Sequence, residues 1–207
     1  MVFSSGSKDI DNFLKGGFPT DQAVVIYGEP ASGKTTIAFQ ASLTMAMKNK
    51  KVFFVDVEQS FSLDRLRQLV SDCDKYLDNI KLFSPKSFDE QEKVILSLPF
   101  NCGLVVIDSL SKFYREAVKD EPNLSNERLI TQLRRLHKFI DKGIPVIITN
   151  QVYSTLDGQI KVVGGDMIRR WSQYLIKLRK NPRTMFFEKP EFKEFKFKIA
   201  SEGIIGI

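Results

Sequence analysis

The sequence predicts an α/β protein in which a mostly parallel sheet lies between helices and ends in antiparallel strands. Four short apolar runs have the composition of buried parallel strands, and helix-favouring stretches separate them. The runs are residues 23–27, 52–55, 104–107 and 146–149. Near the end of the chain, residues 194–199 alternate apolar side chains with charged ones, which is typical of a strand with one buried face.

The most specific motif lies between the first of these strands and the helix predicted after it. Residues 28–36 match the pattern G-x-x-x-x-G-K-[ST] at every fixed position. Glycines let successive N–H groups point at one anion, and a helix N-terminus adds the positive end of its dipole. The alternative is a glycine turn with a chance Lys-Thr pair. The motif predicts phosphate binding by Gly28, Glu29, Pro30, Ala31, Ser32, Gly33, Lys34, Thr35 and Thr36.

Three side chains around this motif have predicted roles in a triphosphate site. Lys34 would reach the β- and γ-phosphates, and the Thr35 hydroxyl would ligate Mg²⁺. Asp108 directly follows the strand at residues 104–107, where the carboxyl ends of parallel strands meet ligands. Asp108 is therefore predicted to hold Mg²⁺ or its water shell, and capping of the next helix is the alternative.

Composition is ordinary for a globular protein, but the positive charge is unevenly placed. The 207 residues are expected to form one domain, without a membrane span or signal segment, and a cytoplasmic location follows. Residues 161–207 hold 11 Lys and Arg against 5 Asp and Glu, which equals the net charge of +6 of the whole chain. Such a segment suits a polyanion such as nucleic acid, although a solvated surface would look the same.

These landmarks, in this order, resemble the RecA-like recombinase family, and within it the archaeal accessory paralogues of the strand-exchange ATPases. The resemblance covers almost the whole chain. The stretches that carry it are residues 6–17, 28–36, 55–58, 61, 65–66, 104–109, 114–115, 148–152, 164–165 and 178–180. It implies a RecA-like P-loop NTPase core with ATP and Mg²⁺ as cofactors.

The resemblance also implies roles that spacing alone does not. Glu58 matches the catalytic glutamate that polarises the water attacking the γ-phosphate, and Gln151 matches the γ-phosphate sensor. Lys34 completes the catalytic set. Arg65 matches a residue that stacks on adenine. Surface positions without a role are the alternatives for Glu58 and Arg65.

Two stretches correspond to the DNA-facing loops of the family. They are residues 116–124 and residues 153–165, and the pattern of the second predicts a mobile loop. Lys161, Arg169 and Arg170 lie in or just after the second loop and are candidate DNA contacts. Single-stranded DNA is the expected form.

The chain also departs from the full recombinases. From the sequence we expect the ATPase core alone, without the N-terminal helical domain, and residues 1–27 contain no Phe-x-x-Ala plug before the glycine motif. The first loop carries Asp120, Glu121 and Pro122, which are poorly suited to binding phosphates. Strand exchange and filament formation are therefore not expected, whereas a homo-oligomer and a recombination protein partner remain open.

The function expected from the resemblance is that of an ATP- and DNA-binding accessory protein of homologous recombination and repair. Weak, DNA-modulated ATP hydrolysis is expected with it. One alternative is a recombination mediator that ATP switches without significant turnover. Another is a RecA-like ATPase of the clock or signalling type that does not act on DNA. A kinase is disfavoured, because no Arg-rich lid is visible.

Overall fold

The computed structural model describes residues 1–154 and 160–207, and a nine-stranded sheet forms the centre of the fold. The strands are β1 (Val2–Phe3), β2 (Phe18–Pro19), β3 (Ala23–Gly28), β4 (Val52–Asp56), β5 (Ile80–Phe83), β6 (Leu104–Asp108), β7 (Val146–Asn150), β8 (Val152–Ser154), β9 (Ile160–Val162), β10 (Tyr174–Arg179), β11 (Thr184–Lys189), β12 (Lys193–Ala200) and β13 (Gly203–Gly206). The helices are α1 (Lys8–Phe13), α2 (Lys34–Met47), α3 (Leu63–Leu69), α4 (Phe88–Ser97), α5 (Lys112–Asp120), α6 (Pro122–Ile140) and α7 (Gly165–Trp171), with a 3₁₀ helix at Cys73–Asn79.

The strand order across the sheet is β13-β12-β11-β10-β3-β7-β6-β4-β5. The six strands from β10 to β5 are parallel to their neighbours. Strands β11, β12 and β13 extend the sheet beyond β10 in antiparallel fashion. The predicted fold class, a RecA-like parallel sheet with antiparallel strands at the C-terminal end, is confirmed.

Strand β3 is buried on both faces, which explains its continuous apolar run. Val25 and Tyr27 belong to a core cluster that also contains buried residues of α4, α6 and α7. Val24 and Ile26 belong to the opposite cluster, with buried residues of α1, α2 and α3. The loop after β3 is therefore held by packing on both sides of the sheet.

The last strand, β13, packs against the N-terminal part of the chain around α1. The Ser7 hydroxyl donates to the Ile204 carbonyl at 2.7 Å, and the Gly206 N–H donates to the Asp9 carboxylate at 2.8 Å. On α2, the Gln40 side chain accepts from the Ile204 N–H at 3.1 Å. Strand β13 is too short to be predicted from its own sequence, because these long-range contacts define it.

The prediction of an irregular loop at residues 116–124 is wrong. Helix α5 continues to Asp120, and α6 begins at Pro122. Proline suits the first turn of a helix, because the N–H that it lacks would have no intrahelical partner there. No helix that the structure describes is long and apolar enough to cross a membrane.

The second predicted loop, residues 153–165, contains strand residues at its start and in its second half. Strands β8 and β9 pair as an antiparallel hairpin, with Val152 opposite Val162. Residues 155–159 of this predicted mobile loop lie outside the described residues. The hairpin begins two residues after Asn150, where β7 ends.

We expect Phe54→Ala to lower the free energy of unfolding by about 3–5 kcal/mol. Phe54 is fully buried in β4, and its ring centroid lies 5.5 Å from that of Phe39 and 5.4 Å from that of Phe61. Urea unfolding measures the loss. Phe192→Ala is the matched control, because Phe192 is 64% exposed and should change stability by about 0.5 kcal/mol or less. Equal losses in the two variants would contradict this packing.

Candidate nucleoside triphosphate site

The glycine motif forms a tight loop between β3 and α2. Gly33 is the N-cap of α2 with φ at +113°, a conformation that a side chain would strain. A Cβ added to Gly28 would lie 2.3 Å from the Leu178 carbonyl oxygen, so β10 approaches the loop too closely for any side chain there. Arg183 donates to the carbonyls of Ala31 and Ser32 at 3.0 and 3.3 Å, which fixes the outer part of the loop.

A cavity of about 270 Å³ lies at the start of α2. It is lined by Ala31, Gly33, Lys34, Thr35, Thr36 and Ile199. No side chain among residues 1–154 and 160–207 caps the N-terminus of α2, and its first-turn N–H groups have no intrahelical partner. The buried Ser32 hydroxyl also lacks a hydrogen-bond partner among the described residues. Unpaired donors around a cavity at a helix N-terminus fit a phosphate group.

Lys34 lies at this cavity and its ammonium group turns back to the loop. Its Nζ donates to the Gly28 carbonyl at 2.9 Å and to the Glu29 carbonyl at 2.8 Å. Burial lowers the pKa of Lys34, and the negative charges of Asp108, Glu58 and Glu29 oppose that shift. The ammonium group is thus held near the loop without an ion-pair partner among the described residues.

Asp108 lies at the carboxyl end of β6, and hydroxyl groups from two other elements converge on it. Thr35 Oγ1 donates to Asp108 Oδ2 at 2.7 Å, and the Thr149 hydroxyl donates to Oδ1. The residue is 1% exposed, and this burial raises the pKa of Asp108, while the two hydroxyl groups lower it.

The oxygen atoms around Asp108 fit the coordination requirements of Mg²⁺. No group of three or more His, Cys, Asp or Glu side chains that could hold a metal ion occurs in the described part of the chain. Mg²⁺ needs no such group, because it binds through one or two carboxylates, nucleotide phosphates and water. The adjacent oxygens of Thr35 and Asp108 fit that pattern.

Glu58 and Gln151 are brought together, although they are 93 positions apart in the chain. Gln151 Nε2 donates to Glu58 Oε1 at 2.7 Å, and the Ser109 hydroxyl donates to the same oxygen. The loop that carries Glu58 is fixed by Asp56, whose carboxylate accepts from the N–H groups of Ser60 and Phe61 at 3.0 Å each.

The backbone also positions this pair beside Asp108. The Asp108 carbonyl accepts from the N–H groups of Val57 and Glu58 at 2.7 and 3.0 Å. The Gln151 N–H donates to the Ser111 hydroxyl at 2.9 Å. The predicted catalytic residues and the predicted metal ligands therefore lie at one edge of the sheet.

Arg65 is held at the side of this cavity by main-chain carbonyls. Its guanidinium donates to Ala200 at 2.9 Å and to Ser201 at 3.2 Å, at the end of β12. Ile199, one residue earlier on the same strand, lines the cavity. Arg65 is therefore near the candidate nucleotide site, and its stacking on adenine stays a prediction.

The three candidate DNA contacts have different surroundings. Arg169 forms an ion pair with Glu188, with a shortest distance of 2.8 Å. Arg170 is exposed and lines a groove between α6 and α7. The side chain of Lys161 lies outside the described residues.

Sequence reasoning missed four residues at this site. Thr149 contacts the predicted metal ligand Asp108, and Ser109 contacts the predicted base Glu58. Arg183 approaches the loop from the turn between β10 and β11, and Ile199 approaches it from β12. The first two lie at the carboxyl ends of predicted strands, which was a usable signal. Nothing in the local sequence marks the other two.

Comparison with known proteins gives the class to which this fold and site belong. A family model described as Rad51 matches residues 1–206. The chain belongs to the Rad51 family, and the resemblance to the RecA-like recombinases is confirmed.

Relatives within this family are proteins called RadB. The DNA repair and recombination protein RadB of Methanococcus maripaludis is 33% identical, over 94% of this chain and 96% of its own. The protein of that name from Methanococcoides burtonii is 32% identical, over 97% of this chain and 96% of its own. The crystal structure of the RadB recombinase matches all of this chain and all of its own with a TM-score of 0.81 and 32% identity.

Proposed function

We propose that this chain is an ATP- and DNA-binding accessory protein of homologous recombination and DNA repair, with slow ATP hydrolysis that DNA modulates. One observation carries the proposal: a phosphate loop, an Asp-Thr metal pair and a Glu-Gln pair converge at one sheet edge. RadB relatives named for DNA repair and recombination support the pathway.

The loop and α2 would hold the triphosphate. The N–H groups at the start of α2 would donate to phosphate oxygens, and Lys34 would exchange its two carbonyl partners for the β- and γ-phosphates. Thr35 and Asp108 would hold Mg²⁺ directly or through water. Bound Mg²⁺ supplies positive charge that offsets the charge on the phosphate oxygens during phosphoryl transfer.

Glu58 and Gln151 would act on the attacking water. The Glu58 carboxylate can accept a proton from that water or orient it, and its hydrogen bond with Gln151 places an amide beside it. The amide of Gln151 can donate to the γ-phosphate when that group is present. Loss of the phosphate would then return Gln151 to Glu58.

The hairpin that follows Gln151 is the proposed DNA-facing element. Val163 joins it to the site, because its N–H donates to the Gln151 carbonyl at 3.1 Å and its carbonyl accepts from Asn150 Nδ2 at 2.7 Å. A movement of Gln151 can therefore be transmitted to the hairpin through these two hydrogen bonds. The positive charge of residues 161–207 would attract nucleic acid through long-range electrostatic interactions.

We expect the affinity for single-stranded DNA to fall with salt, with a log–log slope of about −0.7 per phosphate contact. Lys161→Ala should make the slope less negative by about 0.7, since it removes one contact from the hairpin. Fluorescence anisotropy of a labelled oligothymidylate, titrated at several salt concentrations, measures both slopes. Lys48→Ala, on the far end of α2, is the control and should leave the slope unchanged. A flat slope for the unmodified protein would contradict DNA binding through phosphates.

The second candidate function is a mediator that ATP switches without significant turnover. One observation favours it. Glu58 Oε1 already accepts hydrogen bonds from both Ser109 and Gln151, and this oxygen is therefore less available to an attacking water. ATP hydrolysis with and without single-stranded DNA, at low and physiological salt, separates the candidates. DNA-stimulated phosphate release supports the ATPase. Binding of both ligands without turnover supports the mediator, and binding of neither contradicts both.

A further inference from the structure

The α6–α7 groove lies apart from the nucleotide site. It has a volume of about 540 Å³, which is within the range of ligand-binding pockets. Its lining residues are Ile130, Leu133, Arg134, Met167, Arg170 and Trp171. Trp171 is the only tryptophan of the chain.

The floor of the groove is apolar, and its side chains pack against the hydrophobic core beneath it. Leu133 is buried in the core cluster of that sheet face, and Met167 and Trp171 pack against the same cluster while remaining partly exposed. Tryptophan, methionine and arginine are enriched at protein–protein interfaces relative to the rest of a protein surface. Tryptophan and arginine also dominate the residues that carry most of the binding energy.

Two guanidinium groups line the groove beside this apolar floor and form no ion pair within the described part of the chain. Arg134 and Arg170 are exposed, and neither forms a hydrogen bond or an ion pair with the part of the chain that the structure describes. Asp166 lies one turn before Arg170 on α7, yet no ion pair joins them. Arg128 and Arg169 on the same two helices, by contrast, are paired with acidic residues. The groove therefore presents positive charge beside an apolar floor.

We propose that the α6–α7 groove binds a peptide segment of a partner protein that carries bulky apolar residues flanked by Asp or Glu. The apolar residues would fill the space over Ile130, Met167 and Trp171, and the carboxylates would pair with Arg134 and Arg170. The proposal is independent of the nucleotide site, because none of the lining residues belongs to it.

A nucleic acid occupant is less suited to this groove. Single-stranded nucleic acid is bound by successive aromatic platforms along a basic track. The groove has one aromatic ring, and the other floor residues are aliphatic side chains and a thioether. The sequence-based prediction that Arg170 contacts DNA and the present proposal give opposite results in one experiment.

That experiment uses the full chain without nucleotide. A random peptide library free of tryptophan is displayed on phage and selected on the protein, and enriched peptides are synthesised and titrated while the emission of Trp171 is recorded. We expect peptides with apolar residues flanked by Asp or Glu, and an emission change on binding. Arg134→Glu and Arg170→Glu should each weaken binding at least tenfold. Lys138→Glu, with the same charge change on the exposed side of α6 and outside the groove, should leave binding unchanged.

Three results would overturn the proposal. The first is enrichment of peptides without acidic residues, or of peptides that bind the two arginine variants as well as the unmodified chain. The second is an emission change caused by oligothymidylate and lost in Arg170→Glu, which would assign the groove to DNA. The third is self-association lost in Arg170→Glu, with no peptide enriched, which sedimentation would detect and which would assign the groove to a second copy. Circular dichroism of each variant controls for folding.

Discussion

Lys34→Ala is expected to weaken ATP binding by a hundredfold or more while the fold remains intact. The ammonium group would be the main positive charge beside the β- and γ-phosphates, and removal of one partner from a buried, hydrogen-bonded charge pair costs about 2–5 kcal/mol. The fold should survive, because the hydrogen bonds of Lys34 Nζ within the described part of the chain go to two carbonyls of its own loop.

Isothermal titration calorimetry with ATP and Mg²⁺ measures this loss. Lys48→Ala is the matched control, since Lys48 is the C-cap of the same helix α2 and is exposed. Its affinity should equal that of the unmodified protein. If Lys34→Ala bound ATP normally, the loop would not be the triphosphate site, and the proposed function would lose its basis.

Glu58→Gln should retain ATP binding and lower turnover at least tenfold, which corresponds to about 1.4 kcal/mol of activation free energy. The amide is nearly the same size as the carboxylate, and its oxygen can still accept the hydrogen bonds that Ser109 and Gln151 donate. The change therefore removes the proton acceptor and leaves the surrounding contacts in place.

Steady-state phosphate release in the presence of single-stranded DNA, together with calorimetric ATP binding, tests this expectation. Glu127→Gln, an exposed position on α6, is the control for the same substitution away from the site. Unchanged turnover in Glu58→Gln would show that Glu58 is not the base. A protein that has no measurable turnover before substitution would instead favour the mediator.

Local sequence was sufficient for the four buried parallel strands and for the glycine loop after the first of them. The runs that became β3, β4, β6 and β7 are apolar over their whole length because both faces of the sheet are covered, and that burial is visible in composition alone. The glycine motif between β3 and α2 was equally visible, since its spacing reflects the backbone geometry of one short turn.

Local sequence failed where a polar segment is stabilised by distant packing. Residues 116–124 look like a loop because charged residues and a proline interrupt the apolar pattern. Yet Pro122 starts α6, and the Tyr114 hydroxyl on α5 donates to Asn126 on α6 at 2.7 Å. A contact of this kind is not contained in the propensity of either segment.

What the sequence by itself determined is the fold class, the glycine loop between β3 and α2, and three polar residues at or after strand ends, Glu58, Asp108 and Gln151. Only the tertiary structure decided which side chains meet: Glu58 meets Gln151, Asp108 meets Thr149, and Arg169 of α7 meets Glu188 of β11. It also left Arg134 and Arg170 together on one apolar groove. The physical reason is that strand order and helix packing set which side chains meet, and both depend on contacts between segments far apart in the chain.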